Sequence, residues 1–145
     1  ERGNAFRLNE GTVGQYMNGV VVDEAECFRW QDAGNDDATF DGIDVDPTFN
    51  NVMFDCGTGG LTNESPETQI AVDAVADDTT NSTSIATTLI NGIINGSAEA
   101  VRPPFVDLPG SVDGFFEDTD YIGAVKDSND DWWTEWSCGL EADNC

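Results

Sequence analysis

Short apolar runs bounded by turn residues dominate the first third of the chain. Asn18-Gly19-Val20-Val21-Val22-Asp23 is one such run, and Asn50-Asn51-Val52-Met53-Phe54-Asp55 has the same form thirty-two residues later (18 to 50). β-Branched and aromatic residues between Asn, Gly and Asp predict strands closed by turns. A second correspondence has a different spacing. Ala5-Phe6-Arg7-Leu8 matches Cys27-Phe28-Arg29-Trp30 twenty-two residues apart (5 to 27), and Asn9-Glu10-Gly11 continues against Gln31-Asp32-Ala33. The two spacings differ by ten residues, the length of Asn35–Asp44 (NDDATFDGID), which reads as an insertion between the copies. Asn91-Gly92-Ile93-Ile94 is a weaker third echo.

A repeat near this length, made of short strands, is the size of one coil of a parallel β-helix, whose coils bury their apolar faces only by stacking. The pattern therefore predicts an all-β fold in which Asn18 lies over Asn50 and Val20 over Val52. Their Asn side chains would bond along the ladder. The chain reads as a single domain, 1–145, with coils over 1–56, a variable insertion or further coil over 57–100, and a C-terminal capping segment over 101–145. Gly57-Thr58-Gly59-Gly60 opens the middle part as a loop, and Pro66–Val75 suits a short helix or a strand. Asp77–Thr88 is polar, Thr-rich and expected at the surface. Arg102-Pro103-Pro104 predicts an extended connection.

Charge narrows the partners. The 145 residues carry 29 acidic side chains against five Lys and Arg, a formal net charge of −24. Nucleic-acid binding rests on basic residues neutralising phosphates, so that class is excluded, and anionic membrane surfaces are disfavoured. No apolar stretch has the length of a membrane span or a signal-peptide core. The hydrophobic fraction is 39%, enough that the acidity does not imply disorder. There is no His, which removes the commonest general base and metal ligand. Carboxylates are so numerous that finding pairs of them does not point to a hydrolase, and no enzyme is expected.

Cys27, Cys56, Cys138 and Cys145 form no C-x-x-C pair, so zinc and dithiol redox chemistry are disfavoured. An even count suggests disulfides and an oxidising compartment. Three pairings exist. The coil register favours Cys27–Cys56, each shortly after the repeated strand, and leaves Cys138–Cys145 to close a small loop.

Near the C-terminus, FFEDTDYIGAV (Phe115–Val125) is followed by WWTEWS (Trp132–Ser137). This pairing resembles the end motif of secreted bacterial right-handed parallel β-helix repeat proteins. NEGTVGQYMNGVVVDEAECFRW and PTFNNVMFDC are similar to late coils of such proteins. The resemblance implies a right-handed parallel β-helix with an irregular or partly helical insertion and a C-terminal cap, an extracellular or cell-surface location, and no assigned catalytic residues. Such proteins carry many coils, and this chain starts inside what reads as a strand, so either an N-terminal portion is missing or a neighbouring molecule completes this end. Ala5, Phe6, Arg7 and Leu8 are therefore expected to form an assembly edge that meets another polypeptide.

Several side chains carry weaker chemistry. Asp127, Asn129 and Asp131 share the opening of a calcium loop, but Trp132 stands where its Gly is needed and Cys138 where its bidentate Glu is needed. Only a looser Ca²⁺ site remains, there or among Asp36, Asp37, Asp41, Asp44 and Asp46. Trp132, Trp133 and Trp136 suit a cap over the end of the core better than a sugar-stacking platform, although as strand neighbours Trp132 and Trp133 would point to opposite faces. Asn63, Asn81 and Asn95 begin N-x-S/T sequons. The sequence thus predicts a non-enzymatic structural protein that assembles with copies of itself, into a filament or surface layer. The alternative is a carbohydrate-binding β-helix module stabilised by Ca²⁺.

Overall fold

A computed structural model describes residues 4–9, 14–24, 26–31, 48–57, 75, 79–83, 85–106 and 116–134. The described residues are mostly β, with little helix. Six strands follow in order: β1 (Asn4–Asn9), β2 (Gln15–Met17), β3 (Val20–Glu24), β4 (Glu26–Gln31), β5 (Thr48–Asn50) and β6 (Met53–Cys56). A four-residue helix, α1 (Ser97–Ala100), comes later. Each of the first three strands pairs in parallel with the strand three places on, β1 with β4, β2 with β5 and β3 with β6. Strands β1–β3, the first pass, thus pair in the same order with β4–β6, the second pass, and like positions lie side by side.

The β1–β4 register is the one the repeated tetrad predicts, with Phe6 opposite Phe28, Arg7 opposite Arg29 and Leu8 opposite Trp30. The second register corrects the sequence reading by one residue. Met17, not Asn18, lies opposite Asn50, and Val20 lies opposite Met53 rather than Val52. The physical reason is the turn between strands. Asn18 and Asn51 both have φ of 55°. Asn tolerates this left-handed conformation better than other side chains that carry a Cβ. Of the neighbouring pair Asn50-Asn51, the turn takes the second.

Stacking like over like builds the core. Leu8, Val21, Cys27, Phe49, Val52, Phe54 and Val75 form one buried cluster, with Phe6, Tyr16 and Cys56 packed against it. Tyr16 and Phe49 are register partners, and their rings stack 5.0 Å apart. Phe6 meets Tyr16 edge-on at 5.0 Å, and Phe49 meets Phe54 at 5.6 Å. Cys27 and Cys56 are joined by a disulfide with their Cα atoms 5.4 Å apart, the pairing expected from the repeat.

Two later segments extend the stack on opposite sides. Beyond β6, Ser82 bridges Met53 in parallel; its N–H donates to Val52 O and its carbonyl accepts from Phe54 N–H. Before β3, Gly123 N–H donates to Asn18 O at 2.6 Å. Val125 then bridges Ile94 in parallel, and Asn95 N–H donates to Val125 O. Ile94, Val125 and Trp133 form a second buried cluster there. The C-terminal segment expected to cap the core thus meets the turn before β3 through Gly123. Asp77–Thr88, expected at the surface, is corrected in part. Ser82 is buried because it serves as a strand position, and Asn81 is drawn inward to bond the backbone of β5.

Gly123 shows how tightly this contact is made. Its φ is +83°, and a Cβ there would lie 2.8 Å from Asn95 Oδ1 and 3.2 Å from Val20 Cγ2. Gly123→Ala therefore combines a disfavoured backbone with a clash, and urea unfolding should show a loss of about 1–3 kcal/mol. An unchanged midpoint would mean that this segment does not pack on the first pass.

Candidate functional site

The turn asparagines form the most organised polar site among the described residues. Their left-handed backbone turns the chain between β2 and β3 and again between β5 and β6, so Asn18 and Asn51 sit at equivalent corners of adjacent passes. Asn18 N–H donates to Asn50 O at 3.1 Å, which holds the corners together. The amides bond elsewhere than along the ladder. Asn18 Nδ2 donates to Phe105 O at 3.0 Å, and Phe105 N–H donates back to Asn18 Oδ1 at 2.6 Å. One corner further on, Asn51 Nδ2 donates to Pro103 O at 2.7 Å. The expected ladder of Asn side chains is thus replaced by a pair of clasps on an extended strap, residues 103–106, which crosses the corners. Pro103 and Pro104 favour an extended backbone in the strap. Its backbone takes no ladder hydrogen bond among the described residues.

Carboxylates anchor the neighbouring segments. Asp55 Oδ2 accepts from both Thr87 N–H at 2.7 Å and Thr87 Oγ1 at 2.8 Å. Glu99 on α1 is fully buried. Its carboxylate accepts from Thr88 N–H, Thr88 Oγ1 and Gly96 N–H at 2.8, 2.9 and 2.9 Å. Desolvation pushes its pKa up, but the bonds from Thr88 and Gly96 outweigh it and hold Glu99 below the ordinary carboxylate range. A carboxylate whose folded value is lowered stabilises fully above its unfolded value, about 4.3 for Glu, and that contribution is lost as pH falls through the folded value. Glu99→Gln should therefore destabilise by about 1–3 kcal/mol at neutral pH. The gap between wild type and variant should shrink as pH falls below about 4.3, read by denaturant titrations across pH. A gap that is constant down to strongly acidic pH would contradict the buried, ionised carboxylate.

Other candidates from the sequence are dispersed. In β1, Ala5 is exposed, Phe6 is half-buried and Leu8 is buried in the core. β1 pairs along one edge with β4, and no strand among the described residues pairs along its other edge. Asp127 Oδ1 accepts from Asn129 N–H and Asn129 Nδ2, which makes a local turn. Among the described residues no group of three or more Cys, Asp or Glu gathers as metal ligands. The single lysine, Lys126, is clasped by both oxygens of Asp120, whose pKa that bond lowers, on the exposed surface.

Trp133 is buried against Ile94 and Val125, as a cap would be, whereas Trp132 is 51% exposed with Nε1 donating to Ala124 O. The two separate because they lie in a turn, where Thr134 N–H donates to Asp131 O, and not in a strand. Among the sequons, Asn81 Nδ2 donates to Phe49 O and Val75 O, and Asn95 Nδ2 donates to Ile122 O. Both nitrogens, the atoms an N-linked sugar would use, are committed inside the fold. Trp136, Asn63, Cys138, Cys145, the Asp36–Asp46 cluster, the Asn35–Asp44 insertion and Pro66–Ala74 lie outside the described residues. No helix among the described residues is long and apolar enough to cross a membrane.

Sequence reasoning missed the strap clasp and the buried Glu99. The Asn–strap bonds join residues 87 and 52 positions apart, and no local pattern marks them. Glu99 had one local signal, its position three residues after Gly96, where its side chain bonds the backbone N–H that opens α1. Comparison of the chain with protein-family models, with curated proteins and with solved structures finds no match in any of the three.

Proposed function

We propose that the chain is a non-enzymatic structural module of the cell exterior, built as a short right-handed parallel β-helix that assembles with copies of itself. The observation that carries this reading is the pair of edges on the first pass. Strands β1 and β2, like β4 and β5, are each paired on one side only among the described residues. Such an edge offers a row of backbone N–H and C=O groups to another chain. The Cys27–Cys56 disulfide favours an oxidising compartment outside the cytosol. The end motif's resemblance to secreted β-helix repeat proteins points the same way.

Charge opposes the assembly. Copies at −24 repel one another, and salt screens that repulsion over about 8 Å at physiological ionic strength. Association should therefore rise with salt and with divalent cations, through a contact that is apolar and backbone-mediated. Joining unlike surfaces head to tail gives a filament unless the rotation closes a ring. Light scattering and electron microscopy of the oxidised protein across a salt and Ca²⁺ series test this. Growth with ionic strength is the expected result, and a strict monomer throughout would overturn the reading.

One observation favours the second reading, a carbohydrate-binding module. Trp132 presents half of its surface while its indole N–H is held by Ala124 O, which fixes the ring. A glycan array that responds to wild type and not to Trp132→Ala would favour it. Loss of that response on chelation would add the Ca²⁺ requirement.

A further inference from the structure

We propose that the Asn18–Asn51 corners form a binding site for extended polypeptide backbone, and that the occupant supplied in an assembly is the strap of a second copy. This rests on the self-assembly reading and adds to its strand-edge contact a second, polar one.

The chemistry of the clasp is general for extended chain. In an extended segment the N–H and C=O of one residue point to the same side, and residues two apart share that side. Phe105 offers both groups to Asn18, and Pro103, two residues before it, offers its carbonyl to Asn51. A primary amide presents one donor and one acceptor side by side, so one Asn can hold both groups of one residue. Asn18 does so. Asn51 makes only the donor bond to the strap, because Pro103 has no N–H to return. These three bonds contact only the strap's backbone groups, so a strap from another copy satisfies them as well as the chain's own.

The strap suits exchange in two further ways. Pro103 and Pro104 hold it extended before it binds, which lowers the ordering cost. Val101 just before it and Val106 at its end are 81% and 64% exposed, so neither side chain anchors it to the corners. Exchanging identical segments between copies replaces each contact with its equal, and this is a low-cost route to association. The Gly123 contact follows the strap in the chain and meets the same Asn18 residue from its outer side. A strap seated in trans would bring Gly123 of the same donor near the neighbour's first pass.

Complementation tests the proposal. One variant, Asn18→Gly with Asn51→Gly, keeps the left-handed turns but removes both amides. The other, Phe105→Pro, keeps the amides but removes the strap's N–H. Neither makes the full contact alone, but the strap of the first fits the corners of the second. Sedimentation analysis should show a one-to-one complex in the mixture and none in either variant alone. Absence of that complex, with both variants retaining the Cys27–Cys56 bond and wild-type circular dichroism, overturns the proposal.

If either variant fails to fold, a synthetic peptide of residues 101–106 added to the wild-type chain replaces it. The peptide should bind saturably, and its Phe105→Pro counterpart should bind about tenfold more weakly. No binding, or equal binding of the two peptides, overturns the proposal. Wild-type assembly is read separately. If the wild type polymerises while the mixture and the peptides fail, the strap contact falls and self-assembly stands. If the mixture forms its complex while the wild type stays monomeric, the contact stands and the filament reading falls.

Discussion

Phe54→Ala should lower the free energy of unfolding by about 3–5 kcal/mol, the range for emptying a buried aromatic site. Phe54 is fully buried in β6, between the two passes and the later segments that cover them. Its ring meets Phe49 at 5.6 Å and Phe6 at 6.4 Å, so it joins the aromatic groups of both passes. Removing it deletes apolar burial and leaves a cavity. Phe49 and Phe6 cannot collapse into that cavity without breaking the strand register that places them. Phe54→Leu, which keeps most of the volume, should cost far less. Chemical denaturation of the two variants side by side separates the cavity from a general effect of substitution. Equal small losses in both would mean that β6 does not face this core.

Loss of the Cys27–Cys56 bond should cost about 3–4 kcal/mol, through a different state of the chain. The bond closes a loop with a sequence separation of 29 residues, and loop-closure entropy gives that magnitude. The effect arises mainly in the unfolded ensemble, which the bond keeps compact. Cys27→Ala with Cys56→Ala should therefore lower the denaturation midpoint and also raise the denaturant slope, because the released chain exposes more surface. Phe54→Ala should shift the midpoint with little change of slope. Peptide mapping without reductant should find Cys27 joined to Cys56. Finding Cys56 joined to Cys138 would break the register on which both passes depend.

Parts of this architecture were legible in the sequence where local identity and tertiary position coincide. The Phe6-Arg7-Leu8 and Phe28-Arg29-Trp30 match was enough for the β1–β4 register, because stacked passes place like residues side by side. The nearness of Cys27 and Cys56 followed from the other repeat, because each cysteine comes shortly after the repeated Asn18–Asp23 or Asn50–Asp55 strand. The second register slipped by one at Asn50-Asn51, where letters alone do not show which Asn takes the left-handed turn.

Other parts were hidden for physical reasons. Glu99 is one of 29 acidic residues, and only its enclosure by Thr88 and Gly96 distinguishes it. Pro103-Pro104 marked an extended connection, but its docking depends on amides presented by two distant turns. Asn81 looked like a surface sequon, yet its amide replaces backbone partners inside the fold, accepting from Val52 N–H and donating to Phe49 O. Asn18, Asn51 and Asn81 share a residue type and do different work, because one amide can face a strap or an interior backbone with equal chemistry.

The central claim is that two parallel passes stack with Asn18 and Asn51 at equivalent corners and the strap laid across them. Nuclear Overhauser contacts in the oxidised, isotopically labelled protein test it most directly. Backbone contacts should place Val20 beside Met53 and Val21 beside Phe54 in parallel, and the Phe105 amide proton should lie close to the Asn18 side chain. Contacts that set Val20 opposite Val52, or an antiparallel pattern between β3 and β6, would contradict it.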